Sequence, residues 1–216
     1  ELQRRTGEPD LVGTVVDVLI QAMCAYALAR KTFDYRRIVM FFIFFTVLFN
    51  GGLVPRYILI TQYLGMGDTI WVLFVPKLVF FFHLVVLRTF FQRLPEGLIE
   101  SAKIDGAGEF TILFRIVMPL AKPALATVAL MGALMRWNDW FSALLYINSE
   151  RLYPLQYLLQ RILLELQFIQ ENMQRLPPSI AESATEMPGE AIRFAMAVVA
   201  AGPMVVVFPF FQRYFA

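Results

Sequence analysis

Five runs of about twenty mostly apolar residues dominate the chain, each about the length an α-helix needs to cross a bilayer core. They fall at roughly Leu11–Ala29, Ile38–Ile60, Thr69–Phe90, Pro123–Ile147 and Ala191–Phe210. In lipid every backbone polar group must be satisfied within the protein, so the runs predict an all-α membrane protein, one transmembrane domain over 1–216. Composition agrees: 58% of the 216 residues are hydrophobic and 17% charged, against about 25% charged in soluble domains. A net charge of +2 is too small to argue for a nucleic-acid partner. The lone cysteine, Cys24, excludes an intrachain disulfide and a cysteine metal cage, and a lone histidine, His83, leaves little for histidine chemistry. No initiator Met and no cleavable leader are evident, so the chain is expected to begin inside a longer protein.

Asn50-Gly51-Gly52 and Pro55 interrupt the second run and predict a kink or re-entrant bend. Lys and Arg collect in the loops Arg30–Arg37 and Arg88–Lys122 and at Arg213. The opposite loops are a short turn, Thr61–Asp68, and a long segment, 148–190, with three basic and six acidic residues. The positive-inside rule then places the loop containing Glu100 in the cytoplasm and 148–190 outside. Leu155, Leu158, Leu159, Ile162, Leu163, Leu166 and Ile169 make a helical stripe in that external segment, closed by Pro177-Pro178. It reads as an amphipathic helix lying on the bundle or, alternatively, as a docking surface.

The loop at 91–122 carries the most specific pattern. Glu100-Ser101-Ala102 is followed by three residues and Gly106, then nine residues and Ile116, then one residue and Met118-Pro119. Pro95 suits the start of a helix, Glu96 and Glu100 favour its N-terminal half, and Gly106 suits a left-handed helix end. Ser101 and Ala102 leave a smooth surface for a close partner. A second helix is expected over Glu109–Val117, with Phe110, Leu113, Phe114 and Val117 on one face, stopped by Pro119 and Pro123. Together these predict a helix, a glycine corner and a helix packed as a knob; an ordinary amphipathic surface loop is the plainer alternative.

That spacing resembles the EAA loop of binding-protein-dependent ABC importer permeases: Glu-Ala-Ala, three residues, Gly, nine residues, Ile, one residue, Leu-Pro. Ser101 and Met118 depart from it in side chain only. The runs SAKIDGAGEF, RIVMPLAKPALAT, RWNDWFSALLYI and FPFFQRYF look like the carbohydrate branch, the maltose-permease relatives. FNGGLVPRYILI and YPLQYLLQRIL resemble its polysaccharide and aldouronate subfamily. The resemblance implies a type I ABC importer transmembrane fold, with about five spans present of a six-span unit, in a bacterial cytoplasmic membrane. It implies a second permease, two ATPase subunits, an external solute-binding protein and a carbohydrate substrate. Carried over by position, Glu100, Ser101, Ala102, Asp105, Gly106, Ile116 and Pro119 form the ATPase-coupling loop. ATP would bind the partner subunit: this chain has no G-x-x-x-x-G-K-[ST] and is expected to be non-catalytic, without cofactor or metal.

Ionisable residues inside the apolar runs are costly, at least ~2.5–3.5 kcal/mol at a bilayer centre, and face partners or cavities. Lys77 and Arg136 lie mid-span, with Asp17, His83 and Asp139 also inside. Internal pairing of Asp17 or Asp139 with Lys77 or Arg136 is one reading. The other is a polar path for a hydrophilic solute through Lys77, Arg136, Trp137, Asn138, Asp139 and Trp140, whose rings could stack on sugars. If the solute carries uronic acids, Lys77 and Arg136 could neutralise its carboxylates. Asp17 and Gln21 share a helix face, suited to a helix preceding this chain. His83 reads as a satisfied interior histidine. An ion-gradient transporter or channel is the competing class, and it leaves the Glu100–Pro119 spacing unexplained.

Overall fold

A computed structural model describes residues 2–172 and 189–212, and every regular element among them is helical. Helix α1 (Leu2–Ala29) is the centre of the bundle and packs chiefly on α5 (Phe81–Gln92) and α9 (Lys122–Trp137). Thr14, Asp17, Val18, Gln21, Ala22 and Ala25 recur at helical spacing along its buried face. Ala22 and Ala25 are fully buried, and such small side chains let membrane helices approach closely. Val15, Val16 and Met23 point outward. Polar residues inside and apolar ones outside is the arrangement lipid surroundings favour. Asp17 and Gln21 therefore meet helices of this chain, α5 and α9, rather than await a preceding one.

The remaining apolar runs are bent. Among the described residues no single helix is long and apolar enough to cross a membrane; three bent pairs pass that test together, and Gly13–Ala29 and Ala191–Gly202 are shorter apolar stretches. The second run divides into α2 (Arg36–Leu48) and α3 (Leu53–Ile58, prolonged by a π-turn to Tyr63), turning by 113°. The expected bend at Asn50-Gly51-Gly52 is present: Gly52 adopts φ +87°, and its N–H donates to Asn50 Oδ1 at 3.0 Å.

Two further breaks correct the expectation of continuous spans. The third run splits by 49° into α4 (Trp71–Phe74, continuing as a 3₁₀ turn to Lys77) and α5. Pro76 removes the N–H a continuous helix would need there, and Phe80 is extended before α5 begins. The fourth run ends α9 at Trp137 and resumes in α10 (Phe141–Tyr146). Asn138 and Asp139 carry side chains that compete with the helix ladder: Asn138 Nδ2 donates to Leu134 O, and Asp139 Oδ1 accepts from Ser142 N–H at the start of α10.

At one end of the bundle the chain forms the predicted knob. Helix α6 (Glu96–Ile104) leads through a corner at Gly106 into α7 (Glu109–Ile112), a π-turn over Leu113–Val117, and α8 (Met118–Leu120). Pro119 does not stop this helix as expected. The helix runs on to Leu120 and bends by 84° into α9, because the wider π-turn before Pro119 accommodates a residue without an N–H. The π-turn also rotates the buried face: Leu113, Val117 and Ile112 are inside, whereas Phe110 and Phe114 are exposed, against the predicted stripe.

At the other end α11 (Leu155–Asn172) lies on α10, α1 and α12 (Gly189–Gln212), as the predicted stripe requires, with Leu166 buried and Ile162 exposed. Pro177-Pro178 and Arg213 lie outside the described residues. Asp68 ties this end together. It sits at φ +54°, a left-handed conformation Asp tolerates better than most residues. Its N–H donates to Tyr146 O at 2.8 Å, and its carboxylate accepts from the N–H groups of Asn148 and Ser149 and from the Ser149 hydroxyl.

The Ser149 hydroxyl, with the Ser149 and Asn148 amides, holds the Asp68 carboxyl below its ordinary range. A depressed carboxyl contributes stability above the ordinary carboxylate range and loses it as pH falls through its lowered value. Asp68→Ala is therefore expected to lower the thermal midpoint of the purified protein at neutral pH. The gap between wild type and variant should shrink in acid, below the ordinary carboxylate range. A gap that does not change with pH would contradict this account.

Candidate functional site

Two places concentrate polar chemistry: a buried charge cluster within the bundle and the exposed knob. In the cluster, Arg136 near the end of α9 reaches Asp17 of α1, with Nη2 3.2 Å from Oδ2 and both side chains 4% exposed. The contact is an ion pair by distance only; among the described residues Nε and both terminal nitrogens of Arg136 lack aligned hydrogen-bond acceptors. Gln21 donates to the other oxygen of Asp17, while Gln21 Oε1 has no partner among the described residues. The Arg136 guanidinium lies 5.9 Å from the centre of the Phe74 ring. A Cβ at Gly132 would come within 3.2 Å of Asp17 Oδ2, so the missing side chain there makes room for the carboxylate. At Gly13 a Cβ would strike the Phe74 ring at 2.4 Å.

His83 of α5 is buried beside this pair, edge-on to Phe80 at 5.0 Å. It is interior as expected but not satisfied among the described residues, where Nδ1 has no hydrogen-bond partner. Lys77 pairs with Asp139. Their positions give the pair its meaning: Lys77 sits at the break between α4 and α5, and Asp139 at the break between α9 and α10. One ion pair thus bridges the two corners.

Internal pairing, one of the two sequence readings, therefore describes these four charges. The six residues of the proposed path do not all line one open surface. Arg136 is an interior strut, whereas the Lys77 side chain is 29% exposed. Trp137 Nε1 donates to Ala200 O at 3.0 Å and fastens α9 to α12. Asn138 ends α9, and Trp140 borders a groove of about 640 Å³ with Tyr157, Arg161 and Phe168 of α11.

The knob is built by its backbone. The Gly106 N–H donates to Lys103 O at 3.0 Å and the Ala107 N–H to Ala102 O at 2.9 Å, the paired bonds of a Schellman ending, with Gly106 at φ +78°. Ile99 and Ala102 face the core, so the smooth outer surface expected of Ser101-Ala102 belongs to Ser101 alone. Glu100, Ser101, Asp105, Gly106 and Pro119 are exposed, and Ile116 is half-buried against the core. Ile104 and Phe110 stand out at 86% and 72% exposure.

Two side-chain bridges fasten the knob to α1 and to the turn that follows it. Glu109 accepts from Lys103 Nζ and from the Tyr26 hydroxyl, each at 2.5 Å, which holds the Glu109 carboxyl below its ordinary range. Glu96 pairs with Lys31 at 2.6 Å, and Arg88 Nε donates to Leu28 O at 3.1 Å. The Tyr26–Glu109 bridge spans 83 positions, and no local pattern announces it. Asp68 was equally silent beyond its place in a glycine-containing turn.

With this geometry in view, the comparisons with known proteins are decisive. The family described as binding-protein-dependent transport system inner membrane component matches residues 14–216. The chain belongs to this family. It is 38% identical over 206 residues to the polygalacturonan/rhamnogalacturonan transport system permease protein YtcP of Bacillus subtilis (strain 168), covering 95% of this chain and 70% of that one. It is also 38% identical to protein LplC of the same organism, over 95% of this chain and 68% of that one. Among solved structures, that of a bacterial ABC transporter involved in the import of the acidic polysaccharide alginate superposes with a TM-score of 0.81 at 29% identity, over 100% of this chain and 76% of that one. The fold is thus that of an ABC importer permease. As a member of the family this chain is a non-catalytic transport component of the cytoplasmic membrane, acting with a solute-binding protein, an ATPase and a permease partner.

Breaking a buried pair from one side leaves an uncompensated charge, at a cost of about 3–5 kcal/mol. Asp17→Asn and Arg136→Met should each lower the thermal midpoint of the purified protein strongly. The double variant should recover a substantial part of the summed loss, and a strictly additive cycle would show that the two residues act separately.

Proposed function

We propose that this chain is the membrane-spanning permease subunit of an ATP-driven importer of acidic oligosaccharides. The Glu100–Pro119 knob faces the cytoplasm and seats in a separate ATPase subunit. Residues 148–190 face outward, where an external binding protein delivers the solute, and the assembly contains two permeases and two ATPases. The knob carries this reading. A Schellman turn holds apolar Ile104 and Phe110 out into solvent, and Tyr26 of α1 and Lys31 in the turn just after it fix its attitude through Glu109 and Glu96. Added Cβ atoms at Gly97, Gly106 and Gly108 would meet nothing in this chain, which leaves their surface open to a partner.

The substrate class rests on the relatives, whose names carry polygalacturonan, rhamnogalacturonan and alginate, joined to the charge at the corner of α4 and α5. Lys77 is the more accessible of Lys77 and Arg136, and its pairing with Asp139 stands in for a solute carboxylate. A uronate that takes Lys77 would release Asp139 and loosen the clamp across both broken spans. Arg136 has no such role, being shut in with Asp17.

Gly106→Val tests the knob. Its Cβ has room in this chain, so the direct cost is the strain of φ +78°, on the order of 1–2 kcal/mol. Co-purification of the ATPase and ATP-driven uptake in proteoliposomes should both fall at least tenfold while the permease stays folded; retention of both would reject the coupling assignment. Lys77→Gln tests the substrate. Uptake of an acidic oligosaccharide should drop roughly tenfold more than that of a neutral one, and equal losses on both would refute the uronate reading.

A further inference from the structure

We propose that the basic cleft between α1, α2, α5 and α6 is a binding site for the phosphate headgroup of an anionic membrane lipid. The inference goes beyond transport and needs only that the chain sits in a bilayer. The cleft holds about 340 Å³ and is lined by Arg30, Lys31, Arg36, Arg37 and Arg88, with Glu96 the sole carboxylate. Glu96 is already paired with Lys31, and Asp34 in the adjacent turn does not line the cleft. Arg30, Arg36, Arg37 and Arg88 therefore converge with no ion-pair contact among the described residues, although Arg30 also stands within the field of Glu109 on its other side. Backbone carbonyls occupy part of the set: Arg88 Nε donates to Leu28 O, and Arg36 Nη1 to Arg30 O at 3.2 Å. Both bonds hold the guanidinium groups in place without neutralising them. Arg30 lies over the Tyr26 ring at 5.9 Å, and its buried Nε has no acceptor among the described residues. The Arg37 side chain makes no hydrogen bond or ion pair among the described residues.

Position selects the source of the phosphate. Arg36 and Arg37 open α2, which has no buried residue and exposes Phe41 and Phe44, four and seven residues on from Arg37 along the same helix face. A headgroup in the cleft can thus sit below its own acyl chains lying along that phenylalanine face. Phe91 and Ile99 supply an apolar wall at the cleft itself. Basic clusters next to a span recognise anionic lipid at about 1 kcal/mol per cation, and guanidinium groups match phosphate oxygens in pairs.

The test uses the purified importer complex in nanodiscs of phosphatidylcholine containing a minority of phosphatidylglycerol, with retained lipid counted by native mass spectrometry. Wild type should retain phosphatidylglycerol preferentially. Arg36→Gln with Arg37→Gln should reduce that retention roughly 10- to 30-fold, and Arg36→Lys with Arg37→Lys, which keeps the charge and loses the paired contact, should restore only part of it. Arg56→Gln, outside the cleft, should leave it unchanged. Thermal midpoints in pure phosphatidylcholine should match across the set, and Arg37→Gln alone, which breaks no internal bond, guards against a fold defect. Equal retention of the two lipids, or equal loss in the Arg56 variant, would overturn the proposal. Displacement of the lipid by millimolar inorganic phosphate would move the site to soluble phosphate compounds and overturn the lipid assignment. Crosslinking of Arg37→Cys to another subunit in these discs would overturn it in favour of a protein occupant.

Discussion

The buried contact between Asp17 and Arg136 is the constraint to which the rest of the bundle conforms. Neither charge tolerates lipid, so α1 must turn its polar face inward and α9 must lie against it. Gly132 clears space for the carboxylate, and Gly13 clears space for the Phe74 ring beside the guanidinium. His83 and Gln21 then fall beside the pair with polar atoms unused. A polar interior of this kind specifies which helices meet and at what rotation, a service that apolar packing between lipid-bathed helices performs weakly.

Around that centre the spans are broken more often than they are whole. Each break has a chemical origin: a glycine at φ +87° after an Asx turn, a proline without its N–H, and adjacent Asn and Asp side chains that compete for backbone groups. Irregular backbone at membrane depth survives only where protein satisfies it. Asp139 meets that requirement at the corner after α9, where its Oδ1 accepts from the Ser142 N–H, and its ion pair with Lys77 ties that corner to the one between α4 and α5. Asp68 does the same at the loop end, closing the turn before α4 onto the segment after α10.

Much of this was legible in the residues. The apolar runs announced a helical membrane protein, Asn50-Gly51-Gly52 announced its bend, and the Glu100–Pro119 spacing announced both the knob and the family. Gly106 took the left-handed helix ending that its position after α6 implied. What failed to show was whatever depends on one helix meeting another. A stripe at 3, 4 and 7 assumed a regular α-helix, and the π-turn at Leu113–Val117 shifted Phe110 and Phe114 out of register. Charges within spans announced that partners exist, but only the packing of α1 on α9 decided that Arg136 meets Asp17 and leaves Lys77 to Asp139. Continuous spans were inferred from apolar length, and length carries no warning about Pro76 or Asn138.

The double fastening of the knob to α1 has a mechanical consequence. A helix of 28 residues is about 42 Å long at 1.5 Å per residue; Tyr26 holds it near one extremity through Glu109, and Lys31, in the turn just after it, is held by Glu96. Asp17 pins the same rod part-way along. A tug of a few ångströms on the loop would then reach the rod through Glu109 and Tyr26, with the Asp17–Arg136 contact as its pivot.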